Sequence, residues 1–256
     1  MVKICVLATS SAGNCTFISS GRTRVLIDAG LSRRTIFERL AQIGEDPARL
    51  DAIIVSHEHT DHISGLPMVV KTLGTPVCVS QLTAPALNWG DREPRLVRFA
   101  AGTSFDIQDI RVHTFTVPHD AVDPVGFRLE IGPTRIGIVM DLGYLPQSVK
   151  YHLAGVDFLL LEANHDIEML KVGPYPWSVK QRVMSRRGHL SNDAVSEYLA
   201  TELDPATRVV ALGHLSEHNN HPELVRLVAQ QALARRGLRP ELVVIRPREP
   251  SPVFEI

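Results

Sequence analysis

Four potential metal ligands lie close together in the segment SHEHTDHISG, which directly follows the apolar run LDAIIV. They are His57, His59, Asp61 and His62. Imidazoles and carboxylates are the ligands that zinc and similar divalent metals prefer. One zinc ion needs only three or four protein ligands, so four in one loop, with others elsewhere, predict two ions. The alternative is a solvated polar loop, which rarely shows this spacing after a buried strand.

Three more residues end predicted strands and complete the set. FTVPHD ends a strand at His119, GIVMDLG ends one at Asp141, and RVVALGH ends one at His214. Each alone is more typical of a turn or a cap than of a ligand. Together they suggest one ion held by His119 with the first two histidines of the loop. The second ion is then held by Asp61, His62 and His214, and Asp141 bridges the two.

The elements that position these residues alternate along the chain. VKICVLA and TRVLIDAG are β-rich runs, and SRRTIFERLAQIG has helical spacing with Ser32 as N-cap and Gly44 as C-cap. The middle, from PRLVRFA to TRIGIVMDLG, is strand-dense. The last third alternates strands with the helices NDAVSEYLATEL and PELVRLVAQQALARRG. This order predicts an α/β fold, with sheets packed together and helices outside, in one domain over residues 1–256.

Composition limits the possible partners and compartment. The chain has 256 residues, 44% of them hydrophobic, which is ample for a sizeable core. Its net charge of −1 creates no global field that favours nucleic acid or membrane, so any basic patch must be local. Three scattered cysteines indicate a reducing compartment. The short apolar opening and the lack of any run of about 18 apolar residues predict a soluble cytoplasmic protein without membrane contact.

The chain resembles the metallo-β-lactamase family over essentially its whole length. The motif H-x-H-x-D-H, and after it His119, Asp141 and His214, match the metal positions of that family in order. The segments ATSSAGNCTFI, LEANHD, GPYPWSVKQRVMSRRGHLSN and LGHLSEHNN look more narrowly like its YycJ (WalJ) branch, which is associated with DNA 5′-exonuclease activity. The resemblance implies a four-layer αββα sandwich and a dinuclear hydrolase that digests DNA from 5′ to 3′, with a place in DNA repair.

The charge of the expected centre indicates its chemistry. Five neutral imidazoles and two carboxylates leave two divalent ions with a formal excess of about +2. Such a centre activates water as hydroxide near neutral pH and attracts an anionic phosphodiester. Asp61 can accept a hydrogen bond from the attacking water. Histidine-rich ligation suits zinc, and the mixed oxygen and nitrogen ligands also accept manganese.

The tetrapeptide GHLS occurs twice, at His189 and at His214, and the two histidines need not share a role. With His214 as a ligand, His189 stands outside a complete coordination set. A phosphodiesterase needs a proton for the departing alkoxide, and a histidine is a suitable donor. Glu162, at the end of the strand VDFLLLEA, is the expected carboxylate partner of that ring. The resemblance supports this role, because nucleases of the metallo-β-lactamase fold place a non-ligand histidine between the bridging aspartate and the last ligand, where His189 stands. The alternative is that His189 caps the following helix or packs locally.

A segment rich in basic residues leads into His189. Residues 171–192 contain no acidic side chain. Their basic residues are Lys171, Lys180, Arg182, Arg186 and Arg187. In a nearly neutral chain this positive strip suits phosphates, and Tyr175 and Trp177 can stack on bases. The alternative is a solvated helical face with an aromatic side chain anchored in the core.

Small polar residues supply further candidate contacts to substrate. The loop TSSAGN can offer backbone N–H groups, with Ser10 or Asn14, to a phosphate near the metals, although it can equally be an ordinary turn. Asn219 follows the last ligand and can hydrogen-bond near the site.

Several functions stay open on this evidence. Relatives of the same fold cleave RNA, cyclic phosphodiesters, thioesters and lactones, so a small-molecule hydrolase and an RNA-processing nuclease are alternatives. The interval from Asp141 to His214 already contains scaffold elements and leaves no room for the inserted domain of many RNA-cleaving relatives, which favours DNA. A non-catalytic binding module is disfavoured because every ligand position is filled.

Overall fold

Two β-sheets lie face to face at the centre of the molecule. The computed structural model describes residues 1–90 and 93–256. In chain order its strands are β1 (Lys3–Ala8), β2 (Cys15–Ser19), β3 (Arg24–Ile27), β4 (Ala52–Ile54), β5 (Val77–Ser80), β6 (Leu96–Phe99), β7 (Ser104–Ile107), β8 (Ile110–Thr116), β9 (Val125–Ile131), β10 (Thr134–Val139), β11 (Phe158–Glu162), β12 (Val209–Gly213), β13 (Glu241–Val244) and β14 (Phe254–Glu255).

Within the described residues each sheet has seven strands, in the orders β14-β1-β2-β3-β4-β5-β6 and β13-β12-β11-β10-β9-β8-β7. The first sheet is antiparallel from β14 to β3 and parallel from β3 to β6. The second is antiparallel from β7 to β10 and parallel from β10 to β13. Each parallel half aligns the C-terminal ends of its strands at one edge, where ligands of α/β sheets bind.

The helices are α1 (Arg33–Gln42), α2 (Thr60–Ile63), α3 (Leu66–Leu73), α4 (Gln147–Leu153), α5 (Ile167–Val172), α6 (Trp177–Val183), α7 (Asn192–Thr201) and α8 (Pro222–Arg235), with 3₁₀ turns at Pro47–Arg49 and Ala84–Ala86. Helices α1, α3, α4, α7 and α8 cover the outer faces of the two sheets, while the short helices α2 and α6 contribute residues to the site. In the part of the chain that is described, none of these helices combines the length and apolar character needed to cross a membrane.

Three apolar clusters define the layers. Residues from both sheets, such as Ile54 and Phe127, pack between the sheets. Ile36 of α1 belongs to the cluster outside the first sheet, and Val195 and Val225, of α7 and α8, to that outside the second. The central parallel strands β4, β5, β11 and β12 are buried on both faces, as their continuous apolar sequences require, while the edge strands β6 and β13 are partly exposed. The predicted αββα sandwich is confirmed.

The sequence predicted the N-terminal end of helix α1 correctly. The Ser32 hydroxyl caps α1 by accepting a hydrogen bond from the Thr35 N–H at 3.1 Å. The C-cap, however, is Ile43, and Gly44 follows it with a φ of 75°, the left-handed position that glycine favours. The sequence did not indicate β2 or the two-residue strand β14. The strand β14 forms because it pairs with β1, and intrinsic strand propensity does not predict such a pairing.

Candidate metal centre and active site

The seven predicted metal ligands lie in segments that follow C-terminal strand ends. The loop after β4 and the short helix α2 carry the first four, while His119 follows β8, Asp141 follows β10 and His214 follows β12. The structure therefore brings residues from distant parts of the sequence to the edge where the strands end.

His57, His59 and His119 form the first group of donor atoms. One nitrogen from each lies within 4.8 Å of the others, and His119 Nε2 is 3.2 Å from His59 Nδ1. Asp141 adjoins this group, because its Oδ2 lies 3.9 Å from His57 Nε2. Three imidazoles with a neighbouring carboxylate can bind one divalent ion.

Asp61, His62 and His214 form the second group, again with donor atoms within 4.8 Å of one another. Asp61 Oδ2 is 3.5 Å from His62 Nε2 and 3.6 Å from His214 Nε2. Asp141 reaches this group with both oxygens, since Oδ2 is 2.7 Å from His62 Nε2 and Oδ1 is 3.5 Å from His214 Nε2. Asp141 thus touches both groups.

Three site residues adopt left-handed backbone conformations directly after strands. Asp28 has a φ of 61°, Asp141 of 54° and His214 of 57°. Such conformations are uncommon for residues other than glycine and persist only where surrounding structure enforces them. Here they coincide with the sharp turns by which β3, β10 and β12 end at the site.

Asp28 orients His62 and was missed by the sequence analysis. Its Oδ2 lies 2.7 Å from His62 Nδ1 and accepts a hydrogen bond from the Ser56 hydroxyl at 2.8 Å, while its Oδ1 accepts from the Ser56 N–H at 2.8 Å. A buried carboxylate on one ring nitrogen fixes the tautomer and leaves the other nitrogen as the donor atom. The signal was present, because Asp28 follows the apolar run VLI as Asp141 follows the apolar run IGIVM.

His214 is held by three contacts. The Thr9 hydroxyl accepts a hydrogen bond from its backbone N–H at 2.9 Å, the Asn164 side chain donates to its carbonyl at 3.0 Å, and Glu162 Oε1 lies 3.0 Å from its Nδ1. No motif in the sequence indicated that Thr9 and Asn164 hold His214 in place. The contacts leave Nε2 of His214 directed at Asp61 and Asp141.

The donor set fits divalent cations. His57 Nε2 and His214 Nε2 are buried without a hydrogen-bond partner among the described residues. Burial, reinforced by His62, lowers the pKa of His57 well below its usual value, which favours the neutral, ligating imidazole. Burial alone would raise the pKa of Asp141, but His214 and His62 outweigh it and keep that pKa well below its usual range.

The same charges act on His214. Burial lowers its pKa, but Asp141, with help from Asp61 and Glu162, outweighs burial and raises the pKa to about 9. The buried carboxylates therefore require positive charge beside them, on a proton or on a metal ion. Metal binding at such a site displaces protons, so metal affinity depends on pH.

His189 stands beside this cluster, and its Nδ1 lies 2.7 Å from Glu162 Oε1 and 3.2 Å from Asp141 Oδ1. Glu162 is fully buried, and its Oε2 accepts backbone hydrogen bonds from Leu142 and Leu190, both at 3.1 Å. Burial lowers the pKa of His189, but Glu162 and Asp141 outweigh it and raise that pKa well above its usual value.

The alternative that His189 caps α7 is wrong, because Ser191 is the N-cap and its hydroxyl accepts from the Ala194 N–H at 3.2 Å. The side chain of His189 is instead 22% exposed and lines a cavity of about 210 Å³. The cavity also contacts both ligand groups. Its other polar lining includes Ser11, Asn164 and Ser216.

Comparison with known proteins identifies the family. The profile of the β-lactamase superfamily domain matches residues 23–214, an interval that contains all seven predicted ligands. Exodeoxyribonuclease WalJ of Streptococcus pneumoniae serotype 2 is 34% identical over 242 residues, covering 92% of this chain and 90% of that protein. Exodeoxyribonuclease YycJ of Bacillus anthracis is 32% identical over 236 residues, covering 91% and 89%. The chain belongs to the β-lactamase superfamily, in the family of WalJ and YycJ.

The fold agrees with this assignment. The metallo-β-lactamase fold protein YhfI from Bacillus subtilis superposes with a TM-score of 0.74 at 18% identity, covering 99% of this chain and 98% of that one. The prediction of a hydrolase of the metallo-β-lactamase type is confirmed.

In this WalJ/YycJ-family chain the loop TSSAGN does not present the predicted residues to substrate. Ser10 and Asn14 are buried and bonded to each other, from the Ser10 N–H to Asn14 Oδ1 at 3.2 Å and from Asn14 Nδ2 to the Ser10 carbonyl at 3.1 Å. Asn14 Nδ2 also lies 3.1 Å from Asp61 Oδ2 and 3.0 Å from His62 Nε2. Asn14 therefore supports the ligand loop, and Ser11 is the loop residue that lines the cavity.

Two other predicted substrate contacts are structural. Lys180 is buried, and its Nζ donates to the Lys171 carbonyl at 2.8 Å, near the C-terminus of α5. Asn219 is 1% exposed, and its Nδ2 donates to the Ser216 hydroxyl at 3.1 Å. Charge and position in the sequence suggested phosphate contacts, but both side chains point into the protein.

The three arginines of the basic strip differ in their contacts. Arg182 lines the cavity and pairs with Asp120 at 2.5 Å. The Arg186 guanidinium lies 4.3 Å from the centroid of the Tyr144 ring, and Arg187 Nε donates to the His119 carbonyl at 3.2 Å. Arg186 and Arg187 are exposed and form no ion pair with a carboxylate in the described chain. They are the members of the strip that stay available to an anionic ligand.

The two aromatic residues of the family segment GPYPW face different surroundings. Tyr175 lines the cavity together with Val179 and Val183 of α6. Trp177 is 61% exposed and lies about 160° around the helix axis from Val179. Of the two aromatic residues predicted to stack on bases, Tyr175 lines the cavity and Trp177 does not, and base stacking stays a prediction.

Proposed function

We propose that this chain hydrolyses the phosphodiester bonds of DNA from the 5′ end, with two divalent ions, zinc or manganese, as cofactors. The observation that carries the proposal is His189, held by Glu162 at 2.7 Å beside the ligand cluster and open to the cavity. The names of the relatives WalJ and YycJ, both exodeoxyribonucleases, support the choice of DNA.

We assign one ion to His57, His59 and His119, and the other to Asp61, His62 and His214, with Asp141 shared. The grouping of donor atoms within 4.8 Å and the contacts of Asp141 with both groups support this assignment. When bound, such ions polarise the phosphate and generate a hydroxide nucleophile near neutral pH.

His189 is the proposed proton donor to the departing alkoxide. Its Nδ1 is engaged by Glu162, so Nε2 is the ring nitrogen left free in a side chain that lines the cavity. The carboxylate of Glu162 orients the ring and stabilises the imidazolium that donates the proton. Because Asp61 also lines the cavity, its carboxylate can accept a hydrogen bond from the attacking water.

Surface charge and cysteine chemistry support the remaining parts of the proposal. Arg186 and Arg187 supply exposed positive charge next to His189, as an anionic substrate requires. Cys5, Cys15 and Cys78, all within the described chain, are buried and free, which supports a cytoplasmic location.

A substrate panel tests the proposal. Single- and double-stranded DNA and RNA, each labelled at the 5′ or the 3′ end, are incubated with the protein and zinc or manganese, beside a generic thioester. We expect a 5′ label to leave as mononucleotide at once, and a 3′ label to pass through a descending ladder. Preferential RNA cleavage, or thioester turnover with intact DNA, would refute DNA as the substrate.

Two variants separate proton donation from metal binding. We expect His189→Ala to lower kcat by about 10²- to 10⁴-fold and to leave the metal content unchanged. His214→Ala is the matched comparison, because it removes a proposed ligand held by the same glutamate, and we expect its metal content to fall. Normal activity of His189→Ala on DNA would contradict the proposed role of this histidine.

A further inference from the structure

We infer that Tyr175 and the apolar wall beside it bind the base of the nucleotide adjacent to the scissile phosphate. This inference rests on the proposed function, since it assigns the part of the substrate that the cavity holds next to the ligand cluster. A nucleotide joins an anionic phosphate to a flat base with apolar faces, and the cavity lining contains residues suited to each.

The cavity lining contains two chemically different kinds of residue. The ionisable residues of the cluster, including His119 and His189, form one kind. Tyr175, Val179 and Val183 line it as well: Val179 and Val183 lie one turn apart on one face of α6, and Tyr175 lies in the bend just before the N-cap Pro176. An aromatic ring with aliphatic neighbours is a surface on which any base can stack.

The conformation of Tyr175 is restricted by its neighbours. The residue lies between Pro174 and Pro176, which restrict the backbone on both sides, and Pro176 is the N-cap of α6. The His218 ring meets the Tyr175 ring edge-on, with the centroids 5.9 Å apart. A side chain that is already ordered loses little entropy when a ligand binds, so its contact contributes more to affinity.

The turn before Tyr175 is packed closely against the loop after β12. A Cβ at Gly173 would come within 2.2 Å of Asn219 Oδ1 and 2.8 Å of the Met169 carbonyl. Only glycine allows this approach, which sets the position of Tyr175 relative to the segment that begins with His214. Asn219 therefore packs against the turn that precedes Tyr175.

The experiment compares Tyr175→Ala with Tyr175→Phe and with Trp177→Ala. Trp177 is the matched control, because it is an aromatic residue two positions away that points out of the cavity. Each variant and the wild type are assayed, with metal bound, on oligonucleotides that carry a normal base or an abasic site at the first or the second position from the 5′ end.

We expect Tyr175→Ala to lower kcat/KM on the normal oligonucleotide by about 5- to 150-fold, the range of one base–aromatic stack. The loss should fall below about twofold when the stacked base is missing at one of the two positions, while Tyr175→Phe and Trp177→Ala stay near wild type. An equal loss on normal and both abasic substrates, or no loss at all, would overturn the inference. A wild-type protein that cleaves no oligonucleotide refutes the proposed function instead.

Discussion

Asp28 offers a direct test of how the site prepares its ligands. In Asp28→Asn the amide oxygen can keep the hydrogen bond from the Ser56 N–H, but an NH₂ group replaces the oxygen that lies 2.7 Å from His62 Nδ1. Because that group donates, His62 must accept at Nδ1 and carry its proton on Nε2. Nε2 is the atom that faces Asp61 and Asp141, so the variant removes the lone pair needed for a metal.

The size of the effect follows from the contact that is lost. A hydrogen bond to a charged group contributes about 1.5–3 kcal/mol. That range corresponds to about 10- to 150-fold in an equilibrium constant. Substitution of carboxylates that orient metal-bound histidines typically costs about 10- to 100-fold in metal affinity. We therefore expect one metal ion to bind about 10- to 100-fold more weakly, while the ion assigned to His57, His59 and His119 is less affected.

The assay is a metal titration in competition with a chromophoric chelator, with circular dichroism to verify folding. Asp51→Asn is the matched control, because Asp51 also accepts a backbone hydrogen bond at a strand end, from the Arg24 N–H at 2.8 Å, and is absent from the candidate ligand groups. Affinities of both ions within twofold of the wild type and of Asp51→Asn would refute the argument that Asp28 sets the tautomer of His62.

Three further predictions concern stability. At a free metal concentration of 100 times Kd, metal binding contributes about 2.7 kcal/mol to stability, so removal of the metal with a chelator should lower Tm by about 5–10 °C. A Tm that does not change on addition of chelator would contradict the metal centre. Burial lowers the pKa of His165 to about 4, below its unfolded value of about 6.5, so its contribution to stability is complete above pH 6.5 and declines as pH falls towards 4. Between pH 7.5 and 5 the wild type should lose about 2 kcal/mol more than His165→Gln in urea unfolding, and equal losses would count against this assignment. Gly30→Ala should destabilise by about 3 kcal/mol or more, since its Cβ would lie 1.7 Å from the Asp61 carbonyl; thermal unfolding near the wild-type Tm would show that the loop can move aside.

The candidate ligand set was predictable because its signal is local and chemically narrow. Histidines and an aspartate at the spacing of His57 to His62, directly after an apolar run, are typical of a metal site and of few structural roles. His119, Asp141 and His214 could be added because each ends a run of β-rich residues, and strand ends of one sheet meet at an edge. Asp28 satisfies the same rule and went unnoticed because its role depends on one contact with His62.

The residues around the substrate were harder to predict, since charge and residue type do not say which way a side chain points. Lys180 looked like a phosphate contact, yet it is buried against the end of α5. Tyr175 and Trp177 looked equivalent, yet Tyr175, in the bend before α6, lines the cavity, while Trp177, the first residue of the helix, is exposed to solvent.

The sequence by itself determined the chemistry of this protein, because the ligand types, their spacing and the alternation of strands and helices are properties of the chain. Tertiary structure alone decided which polar side chains face the cavity and which ones hold the ligands in place. Those choices depend on burial and on hydrogen bonds between residues far apart in the chain, such as Asp28 with His62 and Glu162 with His189, and no local pattern encodes them.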